Sequence, residues 1–337
     1  MNNIIPIFMI ASDDIIDVAS VTVVSIAHNS SSPLAFYFLE RSSLPISSGN
    51  RNKLARLKEK FKNIQSLNYY SVDENLFANV GKSSEGYVPV DTFFRYLIPN
   101  VASEFEKCIY IDIDTVVLKD ITELFNYPLN GAAIGAVCND KGQFFTEQVR
   151  EVTKICGLKQ PENYFNAGIL LIDCLKWRDI GATDKLIALS ESKRDILKWA
   201  DQDALNIFFE NDKIELPDRF NKYYFRVTND EVPVIVHFVG PKKPWLTADS
   251  SCYDCFWKYA RFSPWYKNLR KKQEQSSCSR EFRYYFLGIF FGSKEVYPFG
   301  TRFFFSKIPV LEVRHEDPCK VKFFNIEIFK KREFKHF

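Results

Sequence analysis

The chain has 337 residues, of which 46% are hydrophobic and 26% are charged, and its formal net charge is +3. This composition is typical of a globular protein with a full hydrophobic core and excludes a largely disordered chain. The sequence contains no run of roughly twenty apolar residues, which excludes a conventional membrane-spanning helix. The first residues lack the basic region of a secretory signal and the eight cysteines are scattered, so we expect a cytoplasmic protein with reduced thiols.

The first seventy or so residues alternate between strand and helix patterns. Apolar residues predict three strands, over 4–10, 34–39 and 67–72. Helices are predicted between them, from about Asp17 to Asn29 and over the segment RNKLARLKEKF that starts at Arg51. This alternation predicts an α/β fold with parallel strands, in which ligands bind beyond the carboxyl ends of the strands.

The sequence YIDIDTVV, from Tyr110 to Val117, has the pattern of a buried strand but carries two carboxylates. Because side chains alternate across a strand, Asp112 and Asp114 are predicted to share one face. Burying two unpaired negative charges is costly, so we expect a cation, a metal ion or an open strand end beside them.

Single polar residues and a glycine lie within or beside apolar segments in the next part of the chain. A short helix is predicted over 90–97, with Arg95 among aromatic residues. Gly168 precedes an apolar run, where glycine permits close backbone approach to a ligand or strand. A further helix is predicted over 199–206, and a buried strand over 234–239 contains His237, one of four histidines. Two carboxylates and an imidazole suit Mn²⁺ better than Mg²⁺, and Ca²⁺ least.

The composition changes after about residue 260. Residues 261–337 hold 17 Lys/Arg and 8 Asp/Glu, a net charge of +9, so residues 1–260 carry −6 of the total of +3. Repeated aromatic and basic units predict small strands or hairpins, with turns at Gly292 and Gly300. We therefore predict a first domain over 1–262 and a basic, aromatic-rich C-terminal module over 263–337. This module either contacts an anionic membrane surface or is a β-rich subdomain with a solvated basic face. No nucleic-acid-binding motif accompanies the charge, so a nucleic-acid partner is not expected.

Several motifs follow one another in a set order between residues 4 and 250: Ala11-Ser12-Asp13-Asp14, Arg95, Asp112-Ile113-Asp114, Phe165-Asn166-Ala167-Gly168, Asp201-Gln202-Asp203 and His237-Phe238-Val239-Gly240-Pro241-Lys242-Lys243-Pro244-Trp245. This series resembles glycosyltransferase family 8, whose members include bacterial lipopolysaccharide galactosyl- and glucosyltransferases and glycogenin. The resemblance implies a GT-A nucleotide-sugar-binding fold with a central mixed, mostly parallel sheet.

The resemblance also implies a role for each matching position. Mn²⁺, or Mg²⁺ as the alternative, would be bound by Asp112, Asp114 and His237 and would hold the diphosphate of a UDP-sugar. The uridine pocket would be lined by Ala11 and Asp13. The rest of the donor would be contacted by Arg95, Asp114, Asn166, Ala167 and Asp201, and its phosphates by Gly240 and Lys243. Gln202 would lie beside the anomeric carbon, which makes Gln202 and Asp201 the predicted catalytic residues.

The prediction is a metal-dependent, retaining transferase that moves glucose or galactose from a UDP-sugar to a lipopolysaccharide or lipooligosaccharide core sugar. Its acceptor would be a lipid-linked core oligosaccharide, and the C-terminal module would hold the enzyme on the inner face of the cell membrane. The family implies that the configuration of the anomeric carbon is retained. Retention would result either from substitution on the same face of the sugar or from a transient covalent bond to Asp201 as nucleophile. The alternatives are a glycogenin-like or protein-directed glucosyltransferase and a non-catalytic protein that binds sugar nucleotides or anionic surfaces. The sequence leaves open the choice of hexose, the linkage and the oligomeric state.

Overall fold

The computed structural model describes residues 4–80, 90–138, 147–228, 231–247 and 253–276, and the backbone of six strands between residues 280 and 331. The chain forms two compact units. The first comprises Met1–Val239 and Cys252–Tyr266, and the second comprises Gly240–Ser251 and Lys267–Phe337. The functional division after residue 262 stays a prediction.

The first unit alternates strands with helices, as the sequence predicts. Its strands are β1 (Ile5–Ile10), β2 (Leu34–Arg41), β3 (Ile64–Val72), β4 (Lys107–Ile111), β5 (Thr115–Val117), β6 (Ile134–Cys138), β7 (Phe165–Asp173), β8 (Lys213–Glu215), β9 (Lys222–Tyr223) and β10 (Ile235–His237). The α-helices of the chain are α1 (Ile16–Asn29), α2 (Ser48–Ala55), α3 (Leu57–Lys60), α4 (Ile98–Val101), α5 (Thr122–Phe125), α6 (Glu147–Cys156), α7 (Cys174–Asp179), α8 (Ala182–Ser192), α9 (Asp201–Phe208), α10 (Asp254–Ala260) and α11 (Tyr266–Ser276). The 3₁₀ helices are Glu74–Phe77, Val90–Leu97, Pro161–Asn163, Asp218–Phe220 and Tyr224–Arg226.

A seven-stranded sheet forms the centre of the first unit, in the order β3-β2-β1-β4-β7-β6-β8. Strands β3, β2, β1 and β4 run parallel, and β7 is antiparallel to both of its neighbours. The predicted mixed, mostly parallel sheet is therefore confirmed. Strands β1 and β2 are buried along almost their whole length, as is α1, which explains why these segments are apolar without a clear polar face.

The segment YIDIDTVV is not one strand, so this part of the prediction is wrong. Strand β4 ends at Ile111, and β5 starts at Thr115 in a separate sheet ordered β5-β10-β9. The Asp112 N–H donates to Gly168 O at 2.7 Å, and Thr115 Oγ1 donates back to Asp112 O at 2.8 Å. Asp112 and Asp114 therefore lie in a turn between two sheets.

The second unit contains a six-stranded antiparallel meander in chain order. Its strands are β11 (Arg280–Phe286), β12 (Ile289–Tyr297), β13 (Gly300–Phe305), β14 (Ile308–Arg314), β15 (Cys319–Phe323) and β16 (Ile326–Lys331). Gly292 lies inside β12, where it pairs with Tyr284 and Phe305, so the turn predicted there is wrong. Gly300 pairs with Tyr297 at the end of a hairpin. Within the described ranges, no helix combines the length and apolar character needed to cross a bilayer.

Candidate active site

The carboxyl ends of β1 and β4 lie at the same edge of the sheet, because these parallel strands are neighbours. Just beyond β1, the carboxylate of Asp13 accepts hydrogen bonds from Ser47 N and Asn50 Nδ2, both at 2.8 Å. Burial opposes ionisation of Asp13, but these donors outweigh it and lower its pKa. Ala11 is buried, and its N–H donates to Leu39 O. The predicted uridine-binding residues are thus fixed at this edge.

Beyond β4, Asp112, Asp114 and His237 converge on one point. One ligand atom from each lies within 4.8 Å of the others. His237 Nε2 is 3.2 Å from Asp114 Oδ1 and 3.8 Å from Asp112 Oδ2. Ions of this kind bind oxygen and nitrogen ligands at about 2 Å, so small side-chain rotations would bring all three onto one ion. The donor set and its spacing therefore fit a divalent metal.

Asn221, which the sequence analysis missed, orients the imidazole of His237. This asparagine is 2% exposed, and its Oδ1 lies 2.8 Å from His237 Nδ1. Since an amide oxygen can only accept, Nδ1 carries a proton, and in the neutral imidazole the lone pair is then on Nε2, which faces Asp114.

Two groups hold the other carboxylate oxygen of Asp112. The Tyr110 hydroxyl donates to Asp112 Oδ1, and Arg95 Nη2 lies 3.5 Å from the same atom. The Arg95 guanidinium also stacks 4.6 Å from the centroid of the Tyr110 ring. The other oxygen, Asp112 Oδ2, faces His237, so it is placed to bind a metal ion together with the histidine.

The close approach predicted at Gly168 is confirmed. A Cβ atom on Gly168 would lie 2.4 Å from His237 Cε1, 2.6 Å from Asp112 Oδ2 and 2.9 Å from Asn166 Oδ1. Real Cβ atoms do not make such short contacts, so only glycine lets β7 pass beneath the cluster.

Arg95 links this cluster to Asp201. Its Nε lies 2.9 Å from Asp201 Oδ2 but donates its hydrogen to Thr92 O at 3.0 Å, and Nη1 donates to Ala167 O at 2.6 Å. Asp201 Oδ2 is therefore ion-paired, yet within the described part of the chain it accepts no hydrogen bond. Burial raises the pKa of Asp201 to about 6, although Arg95 opposes this rise.

Gln202 is held at both ends of its amide. Its Oε1 accepts from Asn166 Nδ2 and from Ala167 N, both at 3.1 Å, and its Nε2 donates to the Tyr164 hydroxyl at 2.9 Å. The turn into α9 is unusual, because Ala200 has a φ of +47°, a value uncommon for residues other than glycine. This turn places Asp201 and Gln202 at the start of the helix.

The structure thus brings together most of the predicted site residues: Arg95, Asp112, Asp114, Asn166, Ala167, Asp201, Gln202 and His237. Gly240 and Lys243 belong to the second unit. Gly240 has a φ of +80°, and Lys243 O accepts from the N–H groups of Leu246 and Thr247. Their predicted contact with phosphates stays a prediction.

A mostly parallel α/β sheet with an Asp-x-Asp and histidine cluster at its carboxyl edge defines a GT-A-type protein. The chain belongs to glycosyl transferase family 8, whose family model matches residues 6–249.

The chain is similar in sequence to several named proteins, and it covers a different share of each. General stress protein A of Bacillus subtilis (strain 168) is 29% identical over 220 residues, which cover 59% of this chain and 74% of that protein. Lipopolysaccharide 1,2-glucosyltransferase of Escherichia coli (strain K12) is 30% identical over 156 residues, which cover 42% and 44%. The probable glycosyl transferase Gly of Streptococcus gordonii is 29% identical over 202 residues, which cover 58% and only 27%. The chain thus spans less than half of the last two proteins.

Solved structures share the fold. The galactosyltransferase LgtC, solved in complex with donor and acceptor sugar analogues, superposes with a TM-score of 0.67 at 24% identity, covering 80% of this chain and 100% of that one. The glycosyltransferase GlyE of Streptococcus pneumoniae TIGR4 gives a TM-score of 0.57 at 21% identity, covering 79% and 63%. At these identities the similarity establishes the GT-A fold.

Proposed function

We propose that the chain is a metal-dependent, retaining hexosyltransferase that moves glucose or galactose from a UDP-sugar to a core sugar of lipopolysaccharide or lipooligosaccharide. The observation that carries this proposal is the convergence of Asp112, Asp114 and His237, which Arg95 links to Asp201 through contacts with both Asp112 and Asp201. Two carboxylates and an imidazole suit a cation that holds a diphosphate.

The donor sugar would be bound by groups that are already oriented. The Asp201 carboxylate accepts a hydrogen bond from one of its hydroxyls, and the Arg95 guanidinium holds that carboxylate in place through the 2.9 Å ion pair. The amide oxygen of Gln202 lies beside the anomeric carbon and stabilises the positive charge that develops there as the bond to phosphate breaks. The family supplies the retaining outcome.

Mn²⁺ is the proposed metal and Mg²⁺ the alternative, because two carboxylates and one imidazole combine hard oxygen with borderline nitrogen ligands. Asp112, Asp114 and His237 would hold the ion. When bound, it would neutralise the negative charge that the UDP leaving group gains. Lys243 and Gly240 are proposed as further phosphate ligands.

The acceptor is proposed from a relative and from the charge of the C-terminal residues. The Escherichia coli protein named lipopolysaccharide 1,2-glucosyltransferase is 30% identical over its matched segment. In the C-terminal sheet, Arg314 is paired with Lys320, which is paired with Lys330. These three basic residues therefore occupy one row of the sheet's register. Such a row suits an anionic membrane, where each basic residue contributes about 1 kcal/mol, and we propose that residues 263–337 hold the enzyme at the inner membrane surface.

The proposal is tested by incubating the purified protein with labelled UDP-glucose or UDP-galactose, with and without truncated core lipopolysaccharide. Label transferred to the core lipid by one donor is the expected result. Hexoses added to the protein itself, detected by mass spectrometry, would show that the acceptor is the protein, as in the glycogenin-like alternative. Donor binding without transfer to any tested acceptor would support the non-catalytic alternative.

A further inference from the structure

One continuous chain of hydrogen bonds runs from the metal-binding histidine to a buried carboxylate. Its members, in order, are His237, Asn221, Asn166, Gln202, Tyr164 and Asp203. The donor–acceptor distances along it are 2.8 Å, 2.9 Å, 3.1 Å, 2.9 Å and 2.5 Å. This series of hydrogen bonds therefore joins His237, at the metal end of the site, to Gln202, the residue proposed beside the anomeric carbon.

The direction of this chain is fixed at both ends. Asp203, when ionised, can only accept, and its Oδ2 already accepts from Lys198 N at 2.6 Å and Trp199 N at 2.8 Å. These two groups and the Tyr164 hydroxyl oppose the rise in pKa that burial gives Asp203. At the other end, Asn221 Nδ2 donates to Asn166 Oδ1, so Asn221 Oδ1 is the atom that faces His237 Nδ1, and the histidine nitrogen must donate.

Between these ends, each amide has a single orientation. Turning over Asn221, Asn166 or Gln202 would set two donors or two acceptors against each other. Such connected polar groups also polarise one another in a buried environment. The arrangement consequently fixes which atom of Gln202 faces Asn166 and Ala167, namely its oxygen.

We infer that Asn221 and Tyr164 are positioning residues that act through this chain, Asn221 on the tautomer of His237 and Tyr164 on the amide of Gln202. The inference rests on the proposed function and deepens it. Neither residue needs to touch the substrate. Removing Asn221 frees the imidazole to place its proton on Nε2, whereas removing the Tyr164 hydroxyl frees the Gln202 amide to turn over.

The role of Asn221 is tested by isothermal titration calorimetry, in which Mn²⁺ is titrated into the protein in the presence of UDP. Asn221→Leu loses the acceptor for His237 Nδ1–H, and we expect affinity for Mn²⁺ to fall about 10–100-fold, as is usual for partners of metal ligands. Asn221→Asp keeps that acceptor but loses the donor to Asn166, so its affinity should stay close to that of the wild type while kcat falls. Equal affinities in Asn221→Leu and the wild type, or equal losses in both variants, would overturn the inference.

The Tyr164 arm uses kinetics in two backgrounds. Tyr164→Phe should lower kcat up to about 10-fold, as expected for the loss of one hydrogen bond, with KM for the donor nearly unchanged, and should have no further effect in Gln202→Ala. Tyr259→Phe is the matched control, because it removes a buried hydroxyl that accepts from Asn29 Nδ2, and neither residue belongs to this series of hydrogen bonds. Losses that simply add in the Tyr164→Phe, Gln202→Ala double variant would contradict a role through Gln202.

The two proposals fail in different ways. A wild-type protein that neither releases UDP from any donor nor binds a donor in a metal-dependent way would overturn the proposed transferase activity. The Mn²⁺ titration requires no turnover, so it decides the role of Asn221 even in that case. An active wild type with additive or absent effects in the variants would overturn only the positioning roles.

Discussion

Gly168 lies directly beneath His237, so that a Cβ atom on the glycine would be 2.4 Å from Cε1 of the imidazole. The same Cβ atom would be 2.6 Å from Asp112 Oδ2. One methyl group would thus displace two of the three proposed metal ligands at once. The strand that carries Gly168 is buried and paired on both sides, so it cannot easily move away.

We therefore expect Gly168→Ala to weaken Mn²⁺ binding by at least about 10-fold, a loss typical of a disturbed ligand environment, and to lower activity accordingly. Titration of Mn²⁺ by calorimetry measures the change. Gly49→Ala is the control, because no atom lies within 4 Å of its Cβ position. Normal metal affinity in Gly168→Ala would show that the cluster does not bind the metal.

Replacement of Arg95 should be more destabilising than replacement of an exposed arginine. The Arg95 side chain is 7% exposed and paired with the nearly buried Asp201, so Arg95→Met leaves a buried charge unpaired and should cost about 3–5 kcal/mol of unfolding free energy. Arg219 pairs with Glu123 at the surface, and Arg219→Met should cost at most about 1 kcal/mol. Urea unfolding compares the two, and equal losses would contradict the importance of the buried pair.

The stability of the metal-free protein should depend on pH through Asp201. Burial raises the pKa of Asp201 to about 6 in the folded protein, whereas the pKa of an aspartate in an unfolded chain is about 3.9. The folded state binds more protons between these values, so this contribution to stability is present below about pH 4 and lost as the pH rises through 6. The full shift corresponds to roughly 3 kcal/mol.

Asp201→Asn should therefore flatten the dependence of unfolding free energy on pH between 4 and 6. Urea unfolding at several pH values measures the slope, and Asp179→Asn, at an exposed position, controls for the loss of a carboxylate. An unchanged slope in Asp201→Asn would mean that this group titrates normally.

The basic row of the C-terminal sheet should control binding to anionic membranes. Changing Arg314, Lys320 and Lys330 to Gln should weaken binding to phosphatidylglycerol vesicles by roughly 3 kcal/mol, or about 100-fold. The control changes three exposed lysines of the first unit by the same charge: Lys58, Lys62 and Lys154. Vesicle sedimentation that gives equal losses for both triple variants would reject a specific membrane-binding row.

Local patterns were sufficient to predict the sheet and part of the site. The alternation of apolar strands with helices predicted the parallel strands, because each signal needs only a few neighbouring residues. The convergence of Asp112, Asp114 and His237 followed from motifs with a strong family resemblance. The same patterns failed at Ile113, since β4 pairs with β7 whereas β5 pairs with β10 in a separate sheet, and both partners are distant in sequence.

Asn221, Tyr164 and Tyr110 could not be identified in the same way. Each acts on a side chain at the site through one hydrogen bond, and the side chains of Asn and Tyr occur in many loops and strands without such a role. Asn221 meets His237 only because β9 and β10 pair. Such a long-range register leaves no short sequence pattern.

Two carboxylates and a histidine are proposed to hold a metal on a sugar diphosphate. The most direct test is UDP release from purified protein offered UDP-glucose, UDP-galactose or UDP-N-acetylglucosamine, with Mn²⁺ or with EDTA. We expect release from UDP-glucose or UDP-galactose that requires metal and is lost in both Asp112→Asn and Asp114→Asn. Release that persists in EDTA or in either variant would contradict the claim, as would the absence of both UDP release and metal-dependent donor binding.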